Sequence, residues 1–141
     1  MVCPDLAVER SLPRTNLVTG PERARIVSGI IGKGVVRSAH DCSEGGLLVA
    51  SVEMAMAGGL GLRIDESALG DHDLITACFT ETPSRYLLEV EPDRLHELEG
   101  LLDGHPCRVI GTFTSDTSLV LGQLDLEMGR LADAWSNGLI I

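Results

Sequence analysis

The sequence predicts an α+β fold in α/β layers, a mixed β-sheet covered by helices. Three observations carry this. Segments with helical apolar spacing alternate with short strand-like segments along the chain. Two strand-like segments near the C-terminus flank a polar Ser-Asp-Thr turn, as a hairpin would. One helical segment, Gly45 to Ala57, is apolar on nearly all sides, with Ser51 and Glu53 its only polar residues. Such a helix is buried between layers, so either this domain covers it twice or a partner covers its second face.

In chain order, residues 1–20 contain Pro4, Pro13 and Gly20 without a clear period and read as an arm or linker, which leaves 21–141 as a single domain. Pro21-Glu22 opens a helix in which Ile26, Val27, Ile30 and Ile31 recur, and Gly32 and Gly34 end it. Val35 to Ala39 is a strand that enters the junction before the apolar helix. After that helix, Leu60 to Asp65 alternates as a strand does, and Ser67 to Asp73 is a loop or short turn. Leu74 to Phe79 is compatible with helix or extended chain. A polar turn leads to a strand at Tyr86 to Val90. Pro92 then opens a helix carrying Leu95, Leu98, Leu101 and Leu102, capped by Gly104. Cys107 to Phe113 reads as a strand with Ser118 to Leu124 as its hairpin partner, and a last helix covers Leu126 to Trp135.

The junction Asp41-Cys42-Ser43-Glu44-Gly45-Gly46 is where chemistry is expected. Ser43 is a suitable N-cap for the helix that follows. The unpaired amides of a helix start, with the helix dipole, favour anions. Gly45 and Gly46 allow close approach, either by a ligand or by a neighbouring backbone. Asp41 stands before the turn, where a divalent cation could bridge its carboxylate to a bound phosphate. Ser43, Glu44, Gly45 and Gly46 are therefore candidate nucleotide- or phosphate-binding residues and Asp41 a candidate metal ligand. Close packing is the competing reading of the same glycines. The turn is neither a Walker loop nor GxGxxG.

Composition narrows the partners. The 141 residues suffice for one domain with a core. Eleven Lys and Arg against 21 Asp and Glu give a formal charge of −10, which disfavours nucleic acid and anionic membranes, and 3% aromatic residues leave little for base stacking. Cys3, Cys42, Cys78 and Cys107 are scattered without a CxxC and read as reduced thiols in the cytoplasm. Cys42 stands at a helix start, where a thiolate is favoured. His96 and His105 read as surface histidines. No signal peptide or apolar span is visible.

The segments AHDCSEGGLLVASVEMAMAGGLGLRID, CFTETPSRYLLEVEP, RVIGTF and LADAWSNG, in that order, carry a family likeness. They resemble the C-terminal part of the synthetase subunit of the phosphoribosylformylglycinamidine synthase family. Its pattern HD-x-S-(D/E)-GGL followed by F-x-E-x-x-x-R is present at His40 to Leu47 and Phe79 to Arg85. The wider superfamily includes aminoimidazole ribonucleotide synthetase, selenophosphate synthetase, thiamine-monophosphate kinase and a hydrogenase-maturation protein.

The resemblance implies a partly ferredoxin-like C-terminal domain, the last of two pairs of ATP-binding and α/β domains in one long chain. The implied reaction joins glutamine-derived ammonia to formylglycinamide ribonucleotide with ATP and Mg, in de novo purine biosynthesis. The implied partners are the missing N-terminal domains, a glutaminase subunit and a small accessory subunit, with a homodimer as a further assembly. Asp41 matches a magnesium-holding aspartate. Glu81 and Arg85 match a substrate motif, from which Thr82 and Pro83 depart, so the site is expected to be degenerate. No residue is assigned a catalytic role, and the 141 residues alone are expected to be inactive. The alternatives are a non-catalytic dimerisation module that completes a neighbour's nucleotide site, or a sibling synthetase or kinase.

Overall fold

The computed structural model describes residues 14–70 and 72–138. Most of the expected arm, Cys3, Asp71 and the last three residues lie outside them. The elements are α1 (Thr19–Gly32), β1 (Ser38–Asp41), α2 (Gly46–Gly58), β2 (Gly61–Ile64), α3 (Leu74–Phe79), β3 (Tyr86–Glu89), α4 (Leu95–Leu101), β4 (Gly111–Thr114), β5 (Ser118–Leu121), β6 (Leu124–Glu127) and α5 (Met128–Asn137), with 3-10 turns at Glu66–Leu69 and Pro92–Arg94.

The strands form two sheets. β1 and β3 pair antiparallel, Ser38 opposite Glu89 and Asp41 opposite Tyr86. The other four run in the order β4-β2-β5-β6, with β2 and β5 parallel and the other neighbours antiparallel. The expected mixed sheet and helical layers are present, with β1 and β3 as a separate ribbon.

Several local expectations are corrected. α1 starts two residues before Pro21, because Asn16 Oδ1 accepts from the amides of Val18 and Thr19, both at 3.0 Å. β1 starts three residues later than expected and ends two later. Val35 leaves the ladder for a small core with Ile30, Leu98 and Leu102, and pairing starts where the Arg37 amide donates to Glu89 O at 2.8 Å. Leu74 to Phe79 resolves as helix, with Asp73 Oδ1 accepting from the Thr76 amide at 3.0 Å as its cap.

The C-terminal strands differ most. β5 is not the hairpin partner of β4, because β2 lies between them. The Ser-Asp-Thr connection crosses the start of β2, where Gly61 has no side chain and the Asp116 backbone takes that space. Asp116 also accepts from Arg63 Nη2 at 3.2 Å and from the Thr114 hydroxyl, which ties the crossing to both strands. The partner of β5 is β6, reached by a two-residue turn at Gly122-Gln123, with Gly122 at φ +56°. Leu124 to Glu127 is therefore strand, and the last helix begins at Met128. Only residues from Gly111 onward form the expected strand after Cys107.

The larger core lies between α2 and the four-stranded sheet. Ala55, Leu62, Cys78, Leu119 and Leu121 are its least exposed members, at 0–4%. α2 touches β1, β2, β3, α3 and α5, so the domain itself covers this helix on more than one side. That covering explains why its sequence shows no polar face.

Candidate functional site

The junction is built where β1, α2, α3 and β3 meet. Asp41 is the last residue of β1, and its side chain is exposed. Cys42 turns inward and is buried, and its amide donates to Arg85 O at 3.0 Å, which extends the β1–β3 pairing by one bond. Ser43 and Glu44 are exposed. Gly45 and Gly46 adopt left-handed backbone, φ +74° and +69°, and α2 begins at Gly46.

Ser43 is not the N-cap. That place belongs to Gly45, and Ser43 contributes its carbonyl, which accepts from the Gly46 amide at 3.3 Å. The left-handed pair of glycines adds a turn between Ser43 and the helix, so the serine hydroxyl is too early in the chain to reach the first-turn amides. The side chain that does serve the helix start comes from far along the sequence. Glu81 Oε1 accepts from the Gly45 amide at 2.8 Å.

Gly46 is buried against α3. A Cβ there would lie 2.7 Å from Cys78 O and 2.8–2.9 Å from the Phe79 backbone. The missing side chain is thus replaced by protein backbone, and the start of α2 touches the end of α3. Arg85 closes the same contact from the other side. Its guanidinium donates to Thr80 O at 3.1 Å and Ala77 O at 3.5 Å, the last carbonyls of α3. Glu81 therefore sits at the positive end of α2 and Arg85 at the negative end of α3, and each complements a helix dipole.

The sequence-predicted residues are brought together as one loop, Asp41 to Gly46, with the Phe79 to Arg85 segment folded against it. Cys42 does not have the thiolate character a helix start suggests. Burial pushes its thiol up, opposed by the Arg85 guanidinium and assisted by the Asp41 carboxylate. His96 is exposed, and His105 lies 3.8 Å from Glu22.

Sequence reasoning gave no role to a polar chain beside the junction. His40 Nε2 lies 3.2 Å from Glu53 Oε2, and Trp135 Nε1 donates to Glu53 Oε1 at 2.9 Å. The signal was present in part: Glu53 is the one charge in an otherwise apolar helix.

Two concavities open elsewhere. One, of about 500 Å³, is lined by residues from Asp65 to Ala77 and includes Glu66, Ser67 and His72. A smaller one lies between the sheets, beside Met54, Leu88 and Phe113. Neither is lined by a junction residue. Among the described residues no three His, Cys, Asp or Glu side chains converge as a metal centre.

A magnesium nucleotide fits this corner only in part. Magnesium keeps most of its waters and needs one or two carboxylates, and exposed Asp41 can supply one. A phosphate cradle at the glycines does not fit in the same way. The Gly45 amide is already donated to a carboxylate, and the space a Cβ would take at Gly46 is filled by α3.

A family model described as AIR synthase related protein, C-terminal domain, matches residues 6–122. The phosphoribosylformylglycinamidine synthase subunit PurL of Thermus thermophilus is 38% identical over 130 residues, covering 87% of this chain and 17% of that protein. The PurL subunit of Methanothermobacter thermautotrophicus is 37% identical over 132 residues, 91% of this chain and 18% of that protein. The chain thus spans less than a fifth of the length of these relatives. Among solved structures, T. maritima PurL complexed with FGAR superposes with a TM-score of 0.76 at 16% identity, over 92% of this chain and 23% of that one. E. coli HypE, a hydrogenase maturation protein, superposes with a TM-score of 0.58 at 21% identity, over 73% of this chain and 38% of that one. These two likenesses concern the fold.

Proposed function

This chain belongs to the AIR synthase related protein C-terminal domain family, and from that membership we propose that it is the C-terminal domain of a PurL-type, ATP-dependent ligase. The whole enzyme would convert formylglycinamide ribonucleotide and glutamine-derived ammonia to formylglycinamidine ribonucleotide in purine biosynthesis. The observation that carries the reading is 37–38% identity to PurL subunits along 87–91% of the chain. Retention of both HDCSEGGL and FTETPSR supports it, since a sibling of the superfamily need share only the fold.

Within such a ligase the domain's part is to bind and to support. Asp41 is the residue that would hold Mg, with exposed Ser43 and Glu44 at the rim of the same loop. Magnesium ATP, when bound, would activate the amide oxygen by phosphorylation and neutralise developing charge. His40 and Glu53 hold the end of β1 against α2, which fixes the direction from which Asp41 is presented. In Glu81 and Arg85, the counterparts of a substrate motif, Glu81 Oε1 and both Arg85 Nη atoms are engaged in backbone bonds. That engagement supports a degenerate site and no catalytic residue on this chain.

The remaining domains of the ligase are the first partners. A structure of PurLQS from Thermotoga maritima is known, and a glutaminase and a small accessory subunit are proposed as partners on that likeness. No helix of the described residues is long and apolar enough to cross a membrane, and a cytoplasmic location is proposed with the enzyme class.

Domain replacement tests the reading. A PurL subunit whose C-terminal domain is exchanged for this chain should melt cooperatively and form product from ATP, ammonia and FGAR. The 141-residue chain alone should form none. A well-folded chimera without activity, or turnover by the isolated chain, would overturn it.

A further inference from the structure

We propose that Glu81 is the built-in anionic ligand of the α2 N-terminus, and that the Gly45-Gly46 turn consequently takes no nucleotide phosphate. On this reading Glu81 and Arg85 are positioning residues that clasp α2 to α3. The proposal concerns the chain's own backbone and stands whether or not the domain is part of a ligase.

Three independent observations converge on it. The Gly45 amide donates to Glu81 Oε1 at 2.8 Å and the Gly46 amide to Ser43 O at 3.3 Å, so both donors of the turn are satisfied from within. An incoming anion would have to displace a carboxylate held at high effective concentration by the fold, and would then meet that carboxylate's charge with Asp41 and Glu44 nearby. The second observation is steric. Gly46 lacks a side chain because Cys78 O and the Phe79 backbone occupy its place, which accounts for the second glycine without any ligand. The third is the placement of Arg85, whose guanidinium caps the α3 carbonyls at Thr80 and Ala77 while its own carbonyl receives the Cys42 amide. One short stretch, Phe79 to Arg85, thereby neutralises the start of one helix and the end of another at the point where they touch. A phosphate site would leave a glycine donor free and open. Here the first donor is engaged and the second glycine is buried.

Amide NMR on the full 15N-labelled chain tests this, with pyrophosphate and Mg-ADP as the added ligands. In the wild type the Gly45 and Gly46 amide resonances should not move with either ligand, including when Asp41 or Ser43 resonances do. Glu81→Ala should shift the Gly45 amide strongly and lower the melting temperature by several degrees. Glu81→Gln, which keeps an acceptor oxygen, should recover most of both effects. A saturable shift of the Gly45 or Gly46 amide in the wild type overturns the proposal. So does a Glu81→Ala chain that melts and resonates as the wild type does. If Glu81→Ala fails to fold, the wild-type titration and Glu81→Gln decide the matter.

Discussion

The Trp135 indole donates to Glu53 Oε1 at 2.9 Å while Glu53 Oε2 lies 3.2 Å from His40 Nε2, so one carboxylate joins α5, α2 and β1. Trp135 is 65% exposed, so its ring contributes little by burial and its bond to a charged acceptor matters more. Trp135→Phe should cost about 1 kcal/mol in urea unfolding, less than a buried bond to a charged acceptor because solvent competes at this exposed site. Because Trp135 is the only tryptophan, its emission reports the docking of α5 directly. Glu53→Ala should shift that emission, whereas Glu97→Ala, on the far helix α4, should not.

The two kinds of glycine in this chain should respond in opposite directions. At Gly46 the left-handed backbone and the α3 contact both oppose a methyl group, so Gly46→Ala should cost about 2–4 kcal/mol. Gly100, inside α4, has nothing within 4 Å of an added Cβ and no positive φ. Gly100→Ala should gain about 0.5–1 kcal/mol from helix propensity. Chemical denaturation of both variants checks the pair, and equal effects would contradict the close contact at Gly46.

Much of this architecture was legible because it rests on local rules. The apolar helix from Gly46, the strand at Tyr86 and the helical turn at Pro92 follow from apolar composition, from large apolar residues after a polar turn and from proline geometry, each readable within a few residues, although Pro92–Arg94 is a 3-10 turn and α4 itself begins at Leu95. The order of the sheet was not legible, because it depends on which strand lies between two others. Nothing local in Thr114 to Ser118 says that its turn passes over Gly61 instead of closing a hairpin. The LVLGQLDLE stretch misled for another reason. Its apolar alternation continues through the Gly122 turn, so two strands read as one strand and a helix start. At the junction the residues were found and their wiring was not. Ser43 has the right chemistry for a cap, yet Glu81 makes the bond from 36 residues away, a distance no capping pattern covers.

Thiol accessibility gives a further test. Cys42 and Cys78 are buried, and burial pushes both thiols up, so neither is readily ionised or reached. Cys107 is exposed. Its thiol is also raised, chiefly by desolvation, but solvent can reach it. In a Cys3→Ser background a maleimide should label Cys107 first, with Cys42 and Cys78 reacting only as the chain unfolds. Mass spectrometry of peptides over a labelling time course would show the order. Early labelling of Cys42 would mean that the junction opens far more readily than the Glu81 and Arg85 bonds allow.

The acid limb of stability should carry the signature of the α3 cap. Bonds from Thr76, first its side chain and then its amide, hold the Asp73 carboxyl below the usual carboxylate range. A carboxyl whose folded value is depressed stabilises the fold fully above its unfolded value of about 4, and that contribution is lost as pH falls from there through the folded value. Asp73→Asn keeps an acceptor at the cap but cannot titrate, so it should flatten the loss of stability on acidification while melting near the wild type at neutral pH. Asp73→Ala should be less stable at neutral pH and converge with the wild type once Asp73 is protonated. Melting temperatures of the three chains across the acid range separate these cases. An acid limb in Asp73→Asn as steep as in the wild type would place the titration at the other depressed carboxylates, Asp65 beside Ser67 and Asp116 beside Thr114 and Arg63.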